Sequence, residues 1–111
     1  MISNKIYGTM GMAKRAGKAT TGTDAVIAKI RGLEAFLVVI SKDASEGTKK
    51  RISDKCKSYC TEYFFFGSCF DNGKALGVSN CVAVAITDEG FARSLIEKYK
   101  NLTEVAENGS C

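Results

Sequence analysis

Two short runs in this chain are apolar at every position, AFLVVI at residues 35–40 and CVAVAI at 81–86, and a third, TEYFFFG at 61–67, is rich in aromatic residues. A strand with one wet face alternates polar and apolar side chains, so runs of this kind predict strands covered on both faces. That cover has to come from helices packed above and below a sheet. The segments between the runs have the matching pattern. Ile2, Ile6, Met10, Ala13 and Gly17 recur at intervals of three and four and predict a helix over residues 3–16. Val26, Ile27, Ile30 and Leu33 predict a second helix from Thr23 to Gly32, and Thr48, Ile52, Cys56 and Tyr59/Cys60 mark the inner side of a third. A short helix, Cys69 to Leu76, ends at Gly77. Thr87 is read as the cap of a last helix, with Asp88 and Glu89 in its first turn and Phe91, Leu95 and Tyr99 on its inner side. Lys18 to Thr21, short and rich in β-branched residues, reads as a small edge strand.

Alternation of helix and strand implies an α/β domain with helices on both faces of a mostly parallel sheet. Proline is absent, so every sharp reversal falls to the 11 glycines or to Asn and Asp. At 111 residues one core is expected, with roughly two-thirds of the unfolded surface buried. Residues 1–100 are expected to form that domain, and the polar tail NLTEVAENGSC, residues 101–111, to fray. No apolar run approaches ~18 residues, and MISNKIYGTM lacks a basic segment followed by an apolar signal core. The expectation is a cytoplasmic chain with no membrane segment.

The chain has no histidine. Ser-His and Cys-His nucleophile pairs and histidine-bound zinc waters are therefore excluded, and no enzyme, metal or cofactor is expected. Five cysteines, at 56, 60, 69, 81 and 111, have no framework spacing and read as reduced thiols. Cys56 and Cys60 lie one helical turn apart, but with no second pair they read as core packing rather than metal ligands. Asp43, Glu46, Asp88 and Glu89 stand where helix caps and first turns want negative charge, and are read that way rather than as general acids or bases. Neither a Walker loop nor G-x-G-x-x-G is present.

Charge is unevenly distributed. Residues 1–57 carry 12 Lys/Arg and 5 Asp/Glu, whereas residues 58–111 carry 4 and 7. One half is suited to a polyanion; the alternative is that its lysines only keep the surface soluble. The stretch GKATTGTDAVIAKIRG, residues 17–32, opens a helix with N–H groups free at Thr23, Asp24 and Ala25, preceded by Lys14, Arg15 and Lys18. Such an end attracts an anion. Asp24 supplies the competing reading, because a carboxylate in the first turn can occupy those donors itself.

MAKRAGKATTGTDAV, FLVVISKDAS, TKKRISDKCKSY, GKALG and VAVAITDEGFARSLI, in that order, resemble the ribosomal protein L-seven-Ae family and its small bacterial YlxQ-type branch, over roughly residues 5–99. The resemblance implies a single-domain, three-layer α/β/α sandwich with a four-stranded mixed sheet. It also implies a non-catalytic protein that binds kink-turn RNA, with ribosomal or other structured RNA, and the ribosome itself, as partners and no DNA specificity. The family grips the bent backbone with a motif of the form G-T-N-E-x-x-K, onto which Gly22, Thr23, Asp24, Ala25 and Ala28 align. Gly22 and Thr23 match. Asp24 replaces an amide, Ala25 lacks an acceptor for a guanine edge, and Lys29 stands one residue, about 100° of helix, from the lysine position.

A second family contact zone, L-G-K-A-x-G and the loop after it, aligns with NGKALGVSN. Gly73, Lys74, Ala75 and Gly77 are retained and Asn72 replaces the leucine. By resemblance Lys14, Arg15, Lys18 and Lys74 meet phosphates, Thr23 and Asp24 sit at the bend, and Val78 with Ser79 packs on an unstacked base. The basic residues Lys49, Lys50, Arg51, Lys55 and Lys57 on the third helix are placed away from that groove. Two rival readings stay open: a protein-interaction module that keeps the fold without kink-turn recognition, and a binder of a small phosphorylated ligand.

Overall fold

The computed structural model describes the backbone of residues 2–110 and the side chains of residues 4–102; most of the tail expected to fray lies outside the described side chains. Among the described residues the chain runs α1 (Ile2–Arg15), β1 (Ala19–Thr21), α2 (Thr23–Arg31), β2 (Leu37–Ile40), α3 (Glu46–Ser58), β3 (Glu62–Phe65), α4 (Cys69–Leu76), β4 (Ala83–Ile86) and α5 (Glu89–Ser110). The strands form one sheet in the order β1-β4-β2-β3.

The sheet divides the core by side-chain alternation. Leu37 and Val39 of β2 and Val84 and Ile86 of β4 face α1, α4 and α5, where they meet Ile6, Met10, Ala13, Leu76 and Leu95. Val38 and Ile40, with Ala83 and Ala85, face α2 and α3 and meet Val26, Ile27, Ile30, Ile52 and Cys56. All eight residues of β2 and β4 are fully buried, as their unbroken apolar sequence predicts. Each fully buried Val, Ile or Leu contributes about 1.5–3 kcal/mol by leaving water. The three-layer α/β/α sandwich with a four-stranded mixed sheet is therefore present.

Strand direction departs from the mostly parallel sheet that alternation implied. Only β2 and β3 run parallel; β4 is antiparallel to both β2 and β1. The reason lies in α4. The parallel β2–β3 pair ends at Ile40 and Phe65, and β4 begins with Ala83 opposite Ile40. The chain thus leaves β3 and enters β4 at the same end of the sheet, with α4 lying near that end instead of carrying the chain back along the sheet.

β3 also differs from the buried strand its aromatic content predicted. It is an edge strand: Glu62 is exposed, Tyr63 and Phe65 are half-buried, and only Phe64 is buried, its ring stacked on Tyr99 with centroids 3.9 Å apart. Nor do Tyr59 and Cys60 lie on the inner side of α3. That helix ends at Ser58, Cys60 turns at φ 56°, and both side chains are exposed. The cap of α5 is Asp88 rather than Thr87, since the Phe91 N–H donates to Asp88 Oδ2 at 2.9 Å. Ser45 caps α3 by accepting from the Thr48 N–H at 3.2 Å, and Ser68 caps α4 by accepting from the Asp71 N–H at 3.0 Å. Asp43 serves α4 as well, accepting from the Cys69 N–H at 2.8 Å.

Candidate functional site

β1 joins the two groups of residues singled out near the second helix. Its register with β4 continues at both ends: the Thr87 N–H donates to the Lys18 carbonyl at 2.9 Å, and the Gly22 N–H donates to the Ala83 carbonyl at 3.3 Å. Lys18 and Gly22 therefore stand at opposite ends of an edge strand, about 13 Å apart along the chain. The exposed Lys14 and Arg15 belong to the Lys18 end, and Thr23, Asp24 and Ala25 to the Gly22 end.

At the Gly22 end α2 starts without a side-chain cap. Gly22 is its N-cap at φ 102°, ψ 141°, a conformation open to glycine and strained for other residues, and no side chain accepts from the first turn. The competing role for Asp24 is thus absent. Its carboxylate, 93% exposed, accepts instead from Arg51 Nη2 of α3 at 3.4 Å. An exposed pair like this adds little stability. Its consequence is placement: a guanidinium of the α3 face that the resemblance set apart from the groove stands beside the open end of α2. Ala25 and Ala28 are exposed and offer no hydrogen-bonding side chain. Lys29 turns toward the α2–β2 loop, where Nζ lies 3.3 Å from Glu34 Oε1.

The α4–β4 loop enters β4 at the same end of the sheet. Its shape depends on two glycines of GKALG. Gly77 closes α4 in the left-handed region at φ 75°, and the Val78 N–H returns to the Gly73 carbonyl at 2.8 Å. A Cβ on Gly73 would stand 2.8 Å from the Val78 carbonyl oxygen and 3.1 Å from Asn80 N, so only glycine lets the loop lie flat on α4. The exposed Ser79 and the half-buried Val78, which leans on the core below α4, follow from that fold. Lys74, one turn earlier, is exposed and lines a shallow groove with Asn4, Tyr7, Asp71 and Ala75. Arg15 reaches the same helix crossing: a Cβ on Gly11 would lie 3.0 Å from the Ala75 carbonyl oxygen and 3.5 Å from Arg15 Nη1.

A buried network that the sequence did not reveal holds this end together. Asn72 Nδ2 donates to Ser41 Oγ and to the Phe66 carbonyl, both at 2.8 Å, and Ser41 Oγ donates to the Cys81 carbonyl at 2.6 Å. Asn72 and Ser41 are both fully buried. The residue that replaces the family leucine thus ties α4 to the ends of β2 and β3 and to the lead into β4. The one sequence signal was the polar residue inside an apolar motif. Arg51 left no such signal, since its partner belongs to another helix.

Lys49 and Lys50 of α3 are matched within one turn, by Glu46 at 3.3 Å and Asp54 at 3.0 Å. Burial pushes the Cys56 and Cys81 thiols up to about 11, which suits packed, protonated side chains. Among the described residues no cluster of three or more His, Cys, Asp or Glu could hold a metal ion, and no helix is long and apolar enough to cross a membrane.

The sequence and the α/β/α sandwich have clear counterparts among known proteins. Residues 4–96 match the Ribosomal protein L7Ae/L30e/S12e/Gadd45 family, and the chain belongs to that non-catalytic family. RNA-binding protein YlxQ of Bacillus subtilis is 42% identical over 87 residues, 78% of this chain and 87% of the relative. RNA-binding protein YlxQ of Enterococcus faecium is 38% identical over 100 residues, 90% and 92% of the two chains. A solved structure of a protein of unknown function from Bacillus halodurans superposes with a TM-score of 0.82 at 33% identity, covering 85% of this chain and 95% of that one.

Proposed function

We propose that this chain is a cytoplasmic RNA-binding protein that takes structured RNA of the kink-turn kind, on ribosomal or other RNA, at the end of the sheet where α2 begins. The observation that carries the reading is the open α2 terminus joined through Gly22 and Ala83 to the entry of β4, in a chain whose relatives are named RNA-binding proteins. Uncapped N–H groups and a helix dipole suit a phosphate. Lys14, Arg15, Lys18 and Lys74 supply further backbone contacts, Thr23 and Asp24 sit at the bend, and Val78 with Ser79 meets an unstacked base. Gly22 and Gly77 let the backbone come close. Ala25 and Ala28 cannot read a base edge and Lys29 is engaged by Glu34, so recognition rests on shape and charge more than on sequence.

The departures at Asp24, Ala25 and Ala28 favour a second reading, a protein-interaction module that keeps the fold. Salt dependence separates the two. Phosphate neutralisation predicts a steep fall in affinity for a kink-turn hairpin between about 50 and 200 mM salt. Replacing Lys18 and Lys74 by alanine should weaken binding and flatten that slope, whereas replacing Lys49 and Lys50, already matched by Glu46 and Asp54, should change both much less. A flat response in the unmodified protein refutes RNA binding and leaves the protein-interaction reading.

A further inference from the structure

The cations of α2 and α3 do not form one uniform basic face. Lys49 and Lys50 pair with carboxylates on their own helix. Arg31 and Lys55 have no ion-pair partner among the described residues, and Arg51 is shared with Asp24. These three cations converge. With Ile27, Asp54 and Ser58 they line a groove of about 300 Å³ between the two helices, whose floor is the buried Ile27. Asp54 is the acidic group in the lining, and Lys50 Nζ lies 3.0 Å from its Oδ2.

The groove is continuous with the α2 terminus. Arg51 touches Asp24 in the first turn of α2, and Arg31 closes the same helix seven residues later, about 10 Å away. A ligand seated at the start of α2 that continues in this direction meets Arg51, then Lys55 and Arg31, in a row. Arg31 and Lys55 give the row the reach for about two phosphates of one strand, while the charge of Arg51 is shared with Asp24. Two arginines and a lysine set in a row along a shallow groove suit the regular charge of a phosphate backbone.

From this arrangement we infer that the α2–α3 groove is a second RNA-backbone site, in which Arg51, Lys55 and Arg31 hold a flanking stem of the RNA that is bound at the α2 terminus. The inference rests on the RNA-binding reading above and extends its footprint to a face that the family motifs do not cover. Arg51 has a double role in it: it offsets the Asp24 carboxylate that would otherwise repel the RNA, and it hands the backbone from the helix terminus to the groove.

The test uses the full chain and two probes, a kink-turn hairpin and the same hairpin with the stem on the groove side lengthened by one helical turn. Binding of each is titrated across about 50 to 200 mM KCl. Arg31→Gln with Lys55→Gln should lower the slope of log affinity against log salt for the long-stem RNA by about 1.4–1.8, two phosphate contacts, and leave the short hairpin unchanged. Asp54→Asn, which removes the carboxylate from the groove, should steepen the long-stem slope, so the inference does not depend on a loss-of-function variant alone. Lys18→Ala with Lys74→Ala should weaken both RNAs equally. If the Arg31/Lys55 variant gives the wild-type slope on the long stem, the groove is not a backbone site although the primary site stands. If it instead loses binding to polyglutamate while both RNAs are unaffected, the groove belongs to an acidic protein partner and the inference is overturned. If the unmodified protein binds neither RNA, the primary reading and the groove fall together.

Discussion

Asn72→Ala tests how the site end of the sheet is held. The substitution removes the two hydrogen bonds that Nδ2 makes, to Ser41 Oγ and to the Phe66 carbonyl, each at 2.8 Å and both buried. Two such bonds are worth about 2 kcal/mol net, and stranding the carbonyl that loses its donor adds about 1 kcal/mol or more. A compensating gain comes from Oδ1, which has no partner among the described atoms, because deleting an unpaired buried oxygen returns about 1 kcal/mol. The expected loss is therefore about 2–3 kcal/mol, a fall in Tm of about 10–20 °C for a domain of this size. Urea melts followed by circular dichroism give the stability. A cycle with Ser41→Ala, which also breaks the bond to the Cys81 carbonyl, should give a coupling of about 1 kcal/mol. A loss below about 0.5 kcal/mol, within the range of ordinary surface substitutions, would show that the network does not hold the four segments together and would refute the reasoning.

Gly73→Ala should displace the α4–β4 loop, because its Cβ would press on the Val78 carbonyl at 2.8 Å; a cost of about 1–3 kcal/mol and shifted amide resonances at residues 77–80 are expected, while Gly47→Ala, which meets nothing, should move none of them. Stability should depend on pH at both ends of the range. Burial raises the Cys56 and Cys81 thiols from 9.0 to about 11, so the unfolded chain releases their protons first and stability falls as pH rises through that interval; Cys56→Ser with Cys81→Ser should make this fall shallower in urea melts between pH 9 and 11, leaving the smaller part due to the raised Cys69 and Tyr7. The Asp43 carboxyl is held below its ordinary value, chiefly by the Cys69 N–H, so its contribution is lost as pH falls through that lowered value, and Asp43→Asn should blunt the acid limb. Asp24→Asn with Ala25→Glu restores a donor and a base-edge acceptor and frees Arg51, and should tighten binding to a kink-turn hairpin tenfold or more with little change on an unbent duplex; equal affinities before and after would show that this helix end does not read RNA in the family manner.

Element type and core face were legible in the sequence because they follow from local spacing. The apolar runs at 37–40 and 83–86 could be buried only as central strands, and the periods of α1 to α3 placed Ile6, Met10, Ile27, Ile30 and Ile52 inward, whereas Leu33, on the same spacing, lies past the end of α2 at φ 59° and is exposed. Gly22 and Gly77 were legible too, since a chain without proline must turn on its glycines, whereas Gly73, inside α4, was marked only by the resemblance. The absence of histidine settled which chemistries are closed to it. Four features needed the tertiary structure. The direction of β4 depends on α4 leaving and re-entering the sheet at one end, and period-2 or period-3.6 patterns carry no sign for strand direction. The edge position of β3 depends on which neighbour the sheet omits, and aromatic content reads alike on an edge and in a centre. The Asn72–Ser41 bond and the Arg51–Asp24 pair join residues 31 and 27 positions apart in sequence. A buried amide and an exposed guanidinium announce that a partner is needed, but which one they find is decided only when helices and strands that share no local pattern are packed against one another.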